Sequence, residues 1–172
     1  MNGQTVDEGS GLLDASSSKE RTLSAGFGDA FYTVPEGGSY DVTLTLSGQS
    51  GWSTSTTQTV EFDGPSGQIT GLDTYFIDNY DTSTADLSSV SFNLQNTGDV
   101  VLDYDTIEIE MGGTTVTDSP ISTTLEPGRS TYISPSVDLT VSEGTQELTV
   151  RVLEGSQTVA ETTKTVSAGD GE

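Results

Sequence analysis

Val90-Ser91-Phe92-Asn93-Leu94-Gln95-Asn96-Thr97-Gly98 reads as a β-strand running into a turn: Val90, Phe92 and Leu94 alternate with Ser91 and Asn93, and Asn96-Thr97-Gly98-Asp99 supplies residues that reverse a chain. Alternate side chains share one face of a strand, so the stretch has one dry face and one wet face, as a layer of a sandwich requires. The same period recurs at Val42, Leu44 and Leu46, which alternate with Asp41, Thr43 and Thr45. Helical spacing with caps is sustained nowhere, and the chain is expected to be all-β.

From Leu72 onward, strands are predicted near 73–79, 87–95, 104–111, 114–118, 130–134, 146–153 and 157–167, the spacing of an immunoglobulin-like β-sandwich. Met111-Gly112-Gly113-Thr114 is the clearest tight hairpin, because adjacent glycines tolerate the positive φ of a primed turn. Glu126-Pro127-Gly128 and Ser142-Glu143-Gly144 are further turns. The core is expected to take Val90, Phe92, Leu94, Ile107, Ile109, Leu148, Val150 and Val152.

The resulting division is a flexible leader over 1–18, a small N-terminal β segment over 19–71, the sandwich over 72–168 and a disordered tail over 169–172. In the front segment, strands are predicted near 21–26, 39–47 and 54–62. Arg21-Thr22-Leu23 through Val34-Pro35-Glu36-Gly37 to Leu44 and Leu46 faintly echoes Arg129-Ser130-Thr131 through Val141-Ser142-Glu143-Gly144 to Val150 and Val152. The segment is thus either a small sheet packed on the main domain or half of a similar module whose other strands come from elsewhere. An unpaired edge there would invite association.

Charge bounds the function. The chain carries 27 Asp and Glu against 5 Lys and Arg, with no His and no Cys, for a net charge of −22. Such a polyanion offers no basic face to nucleic acid or to anionic lipid. Self-repulsion of this size is screened only near molar salt, where the Debye length is about 3 Å, so the protein reads as a halophile's. The acids stand singly among Val, Ile, Thr and Tyr, as in Asp103-Tyr104-Asp105-Thr106-Ile107-Glu108, which favours a folded chain with an acidic exterior over a disordered acidic tail. No apolar run is long enough for a membrane helix, and Met1 to Ser10 lacks the apolar stretch of a signal peptide. Either the chain is soluble as it stands, or a membrane anchor lies outside this sequence.

Without His or Cys there is no Ser-His-Asp relay, no thiolate nucleophile and no ordinary zinc site. Gly-x-Ser-x-Gly and phosphate-cradling loops are also lacking. Two carboxylates can hydrolyse a glycoside, but the acids here fall in turns and on wet faces, where nothing raises a pKa. The chain is expected not to be an enzyme and to need no cofactor. Calcium, or a monovalent cation held weakly, is the best chemical candidate: Asp99, Asp103 and Asp105 crowd one connection and Asp78, Asp81 and Asp86 another. The spacing matches no calcium loop, and a solvated acidic rim accounts for both groups. Trp52, the single tryptophan, sits in Gln49-Ser50-Gly51-Trp52-Ser53 and either plugs a core edge or stacks on a sugar or partner chain. Tyr32 or Tyr40 would join it in a carbohydrate-binding module. Arg21 and Arg129 are read as neutralising nearby acids.

From Leu87 to Val166 the chain resembles cell-surface immunoglobulin-like modules of the cell-adhesion-related type called CARDB. The likeness rests on Val90 to Gly98, on Ile107-Glu108-Ile109-Glu110-Met111-Gly112-Gly113, on Leu125-Glu126-Pro127-Gly128-Arg129-Ser130 and on the late strand after Glu143-Gly144. The strand leading into Asn-Thr-Gly is also similar to soluble domains of archaellum stator proteins and of haloarchaeal pilin-like proteins. The resemblance implies an extracellular structural or adhesive role, with protein partners or self-association through strand edges, and carries no catalytic residue across.

Overall fold

In the computed structural model, residues 36–79, 82–119 and 122–169 are described. The predicted leader, the strand at 21–26, Arg21, Tyr32, Asp81 and the last three residues lie outside them. Among the described residues every regular element is a strand: β1 (Gly38–Ser47), β2 (Ser53–Phe62), β3 (Gly67–Asn79), β4 (Thr84–Asn96), β5 (Leu102–Tyr104), β6 (Thr106–Met111), β7 (Thr114–Asp118), β8 (Thr123–Leu125), β9 (Ser130–Ile133), β10 (Leu139–Ser142), β11 (Gly144–Glu154) and β12 (Gln157–Ala168).

Two antiparallel sheets form the sandwich. In the first, β4 is central, with β3 on one side and β9 and β10 successively on the other; the second runs β12-β11-β6-β7. The pair β5–β8 is separate from both. The inner faces meet through Val90, Phe92 and Leu94 on one side and Ile107, Ile109, Leu148, Val150 and Val152 on the other, all of them buried. The fold is an immunoglobulin-like β-sandwich, and its core includes every one of the alternating residues expected from the sequence, with others such as Leu87, Leu102 and Met111 beside them.

The turns obey the residues that make them. Gly112 and Gly113 take φ of 59° and 78° between the paired ends Met111 and Thr114, the primed geometry that matches strand twist. Pro127-Gly128 reverses the chain with Gly128 at φ 73°, and the Arg129 amide donates to the Glu126 carbonyl at 3.1 Å. On the outer face of the second sheet Arg151 bridges its neighbours, reaching Glu110 at 2.8 Å and Glu161 at 2.6 Å.

Three features differ from the sequence reading. The sandwich takes in residues from Gly67, since Ile69 enters the core opposite Leu94; the register shift between Thr70 and Asp73, with Gly71 at φ 63°, breaks the alternation that would have revealed this half of β3. Short strands β8 and β10 also went unseen, because three or four residues carry too little period to read. Lastly, the front segment forms a hairpin of its own: among the described residues β1 and β2 are hydrogen-bonded only to each other.

Candidate functional site

The β1–β2 hairpin is regular over ten register pairs, from Gly38 opposite Phe62 to Ser47 opposite Ser53. Directly paired residues share a face, so the register sorts the hairpin into two unlike surfaces. One carries Ser39, Asp41, Thr43, Thr57, Thr59 and Glu61, and its polar groups satisfy one another across the strands: Thr59 Oγ1 donates to Asp41 at 2.8 Å, Thr43 and Thr57 share a bond of 2.9 Å, and Ser39 donates to Glu61. The other carries Tyr40, Val42, Leu44 and Leu46 on β1 against Phe62, Val60, Gln58, Thr56 and Thr54 on β2. No charged residue stands on it.

Trp52 extends this apolar face beyond the last register pair. The Gly48 amide donates to the Trp52 carbonyl at 2.9 Å, and the Gly51 amide returns to the Gly48 carbonyl at 3.0 Å, with Gly51 at φ 82°. The indole lies across Gly48, where an added Cβ would come within 2.1 Å of its Nε1, so glycine is the residue that lets the ring lie flat on the hairpin tip. Burial is graded along the strip. Near the base, Tyr40 and Phe62 pack edge to face with centroids 5.8 Å apart and are half-buried. Toward the tip Leu44 is 43% exposed, Leu46 53% and Trp52 53%. Trp52 therefore does not plug a core edge; it is the outermost part of an open apolar surface.

The joint beneath the hairpin is built by Asn96-Thr97-Gly98-Asp99. Asn96 is fully buried, and its Nδ2 donates to the carbonyls of Val100 and Leu125, each at 2.8 Å, while its Oδ1 accepts from the Gly98 amide at 2.9 Å. Its backbone is also engaged, the amide donating to the Arg129 carbonyl at 2.9 Å and the carbonyl accepting from Gly128 at 3.0 Å. The connection leaving β2 lies on this turn: Thr97 N donates to Ser66 O at 2.8 Å, Asp63 N to Asp99 Oδ2 at 3.0 Å, and Asp99 N to Asp63 O at 3.3 Å. A Cβ on Gly98 would stand 2.2 Å from the Gly64 carbonyl oxygen, so the close approach requires glycine.

The carboxylates considered for calcium are distributed otherwise than the sequence suggested. Asp99 accepts from Asp63 as just described, Asp103 from Thr124 Oγ1 at 2.7 Å, and Asp105 from Thr106 Oγ1 at 2.8 Å and the Gly155 amide at 3.1 Å. Each ties its own segment, and among the described residues no three acidic side chains gather into a metal-holding group. In the second group Asp86 accepts from Thr140 Oγ1 at 2.5 Å, and that bond, with help from Asn79, holds its carboxyl below the usual range. Asp78 Oδ1 is buried without a partner among the described residues. A shallow open depression of about 290 Å³ beside the β6–β7 turn is lined by Glu110, Gln146, Glu147 and Thr149; Glu110 is already held by Arg151.

No family model and no curated protein matches the chain. Among solved structures it is similar to a GH3 beta-glucosidase of Bifidobacterium adolescentis, at 18% identity and TM-score 0.38, over 71% of this chain and 18% of that one. A beta-glucosidase from Kluyveromyces marxianus is similar at 11% identity and TM-score 0.35, over 63% of this chain and 15% of that one. Domains d3-d4 of the rat CD45 extracellular region are similar at 13% identity and TM-score 0.32, over 96% of this chain and 78% of that one. The fold assignment rests on the strand register and the buried core.

Proposed function

We propose that this is a non-enzymatic, extracytoplasmic protein of a halophilic archaeon that works by surface contact, as a structural or adhesive module of the cell envelope or of a surface filament. The observation that carries the reading is the uncharged apolar face of the β1–β2 hairpin, standing open on a chain of net charge −22. Contiguous exposed apolar surface costs solubility and is retained where it meets a partner. Asp78 apart, the acids described above are tied to hydroxyls, amides and Arg151, an arrangement suited to solvation in brine rather than to acid–base catalysis. The CARDB-type resemblance of the sandwich supports an adhesive setting, and the likeness to archaellum stator and pilin-like domains supports a filament accessory as its narrower form.

The test is binding of the labelled full chain, at nanomolar concentration, to isolated haloarchaeal envelopes in about 3 M NaCl. Saturable binding, weakened by Trp52→Ser with an unchanged circular dichroism spectrum, is the expected result. Uptake that rises linearly and ignores the substitution would overturn the reading. The exposure of Trp52 favours a second reading, a carbohydrate-binding module in which the indole stacks on a sugar ring. Glycan-array binding abolished by Trp52→Ala would establish it.

A further inference from the structure

We propose that β1 and β2 are the closing hairpin of a second module built like the sandwich, and that the remainder of that module, which covers Leu44 and Leu46, lies on the N-terminal side of the hairpin and begins before residue 1. The inference goes beyond the contact reading, because it gives part of the strip a partner within the same polypeptide.

The observation is a match between two hairpins of this chain. Adding 106 to its number carries each residue of β1 and β2 onto a residue of β11 and β12, and nine consecutive register pairs coincide: Gly38 opposite Phe62 becomes Gly144 opposite Ala168, and so on to Leu46 opposite Thr54, which becomes Val152 opposite Ala160. The match ends where a bulge follows Val152. Sequence follows register without a gap. Ser55-Thr56-Thr57-Gln58-Thr59-Val60 stands over Glu161-Thr162-Thr163-Lys164-Thr165-Val166, and Thr43 over Thr149. Even the cross-strand bond is repeated: Thr43 and Thr57 share one of 2.9 Å, Thr149 and Thr163 one of 3.1 Å. Composition alone does not dictate a common register, since a slip of one residue would exchange the faces of either hairpin. Two hairpins alike in sequence, register and bond are copies of one unit.

The complete copy shows what the other requires. Val150 and Val152 are fully buried in one core with Val90, Phe92 and Leu94 of β4, whereas their counterparts Leu44 and Leu46 are 43% and 53% exposed. β11 has a neighbour along each edge, β12 and β6; β1 has β2 alone among the described residues. In the complete module every strand that covers or flanks β11, except β12, precedes it in the chain. The same order places the cover of β1 on its N-terminal side, and the shift of 106 puts the counterparts of β3 and β4 before residue 1. The joint at Asn96-Thr97-Gly98-Asp99 is then the clamp between two modules, with the four residues from Asp63 to Ser66 leading from the end of one to the start of the next. Trp52 keeps its place on the outside, since its counterpart Thr158 is exposed at the tip of the complete module.

The test is made on the polypeptide recovered from the cells that produce it, by sequencing its N-terminal region and by hydrogen exchange in about 3 M NaCl. The expected sequence continues before residue 1 and contains an alternating apolar strand ending in Asn-x-Gly about ten residues before residue 1, where the shift places the counterpart of Asn96. The amides of β1 should exchange at least about a hundredfold more slowly there than in the chain of residues 1–172, while those of β4 and β11 keep their rates in both. Two results would each overturn the proposal: a polypeptide that begins at residue 1 or lacks such a strand before it, and β1 amides that exchange at the same rate in both chains. Neither readout involves Trp52, so this proposal and the envelope-binding reading fail separately.

Discussion

Replacing Asn96 by alanine should destabilise the sandwich by about 3 kcal/mol. The side chain donates to the carbonyls of Val100 and Leu125, both buried residues, and truncation takes a donor from each. Each orphaned buried acceptor costs about 1–3 kcal/mol, the lower values applying where water enters the vacated space. The Gly98 amide loses Asn96 Oδ1 but retains Ser66 O at 3.3 Å, so it adds little. A domain of about 100 residues shifts by about 4–8 °C per kcal/mol, which puts the fall in Tm near 12–24 °C, and a typical stability of about 5–15 kcal/mol leaves the variant folded. Urea unfolding in about 3 M NaCl, followed by circular dichroism, measures this without altering ionic strength. Asn96→Asp should be worse near neutral pH, because an acceptor replaces the donor facing two carbonyls. An alanine variant within about 0.5 kcal/mol of the parent would refute the assignment of Asn96 as the clamp of this turn.

Asp86 offers a pH test: its carboxyl is lowered on folding, so its contribution is present above the unfolded value and is lost as pH falls through the lower folded one. Thr140→Val should bring the Asp86 titration, followed by carboxyl NMR, back toward the ordinary range and flatten the stability slope below about pH 4; an unmoved titration would count against the Thr140 bond as its cause. The urea midpoint of the parent chain should rise between about 0.15 M and 1 M NaCl as the Debye length shortens from about 8 Å to about 3 Å, and a flat or falling midpoint would contradict the role given to self-repulsion at −22.

Period-two alternation made the core legible because Val90, Phe92 and Leu94 need only their own strand to declare which face is dry. The tight turn at Gly112-Gly113 was legible for the same local reason, its positive φ demanding glycine. The start of β3 was not, because the irregularity around Gly71 moves residues from one face to the other without any mark in composition. Nor was the exposure of the hairpin toward its tip: Val42, Leu44 and Leu46 show the same alternation whether or not another layer covers them. Trp52 was legible as an oddity within small residues, but its placement depends on Gly48, and the clue was the pair of glycines flanking Gln49-Ser50 on the same turn. The aspartates were misleading because proximity in sequence says nothing of partners; Asp99, Asp103 and Asp105 look outward in three directions to Asp63, Thr124 and Gly155.

The segment that most resembles cell-surface modules is used in holding the fold. Asn96 closes a buried turn, Gly98 admits the Gly64 carbonyl, and Gly128 turns the chain that returns to Asn96. Residues whose every polar group is satisfied internally have nothing left with which to recognise a partner. Resemblance carried by such residues speaks for the scaffold and is silent on what the scaffold presents. On the contact reading proposed above, recognition falls to surface outside that motif, and the hairpin strip meets the requirement: it is uncharged, carries Leu44, Leu46 and Trp52 exposed toward its tip, and is joined to the sandwich through the Asp63–Asp99 backbone and side-chain bonds. That joint makes a distinct expectation. Gly98→Ala should disturb the seating of the connection on its turn, and so should reduce the Trp52-dependent envelope binding proposed above more than it reduces burial of Phe92 and Val150; parallel losses in both would show that hairpin and sandwich stand or fall as one unit.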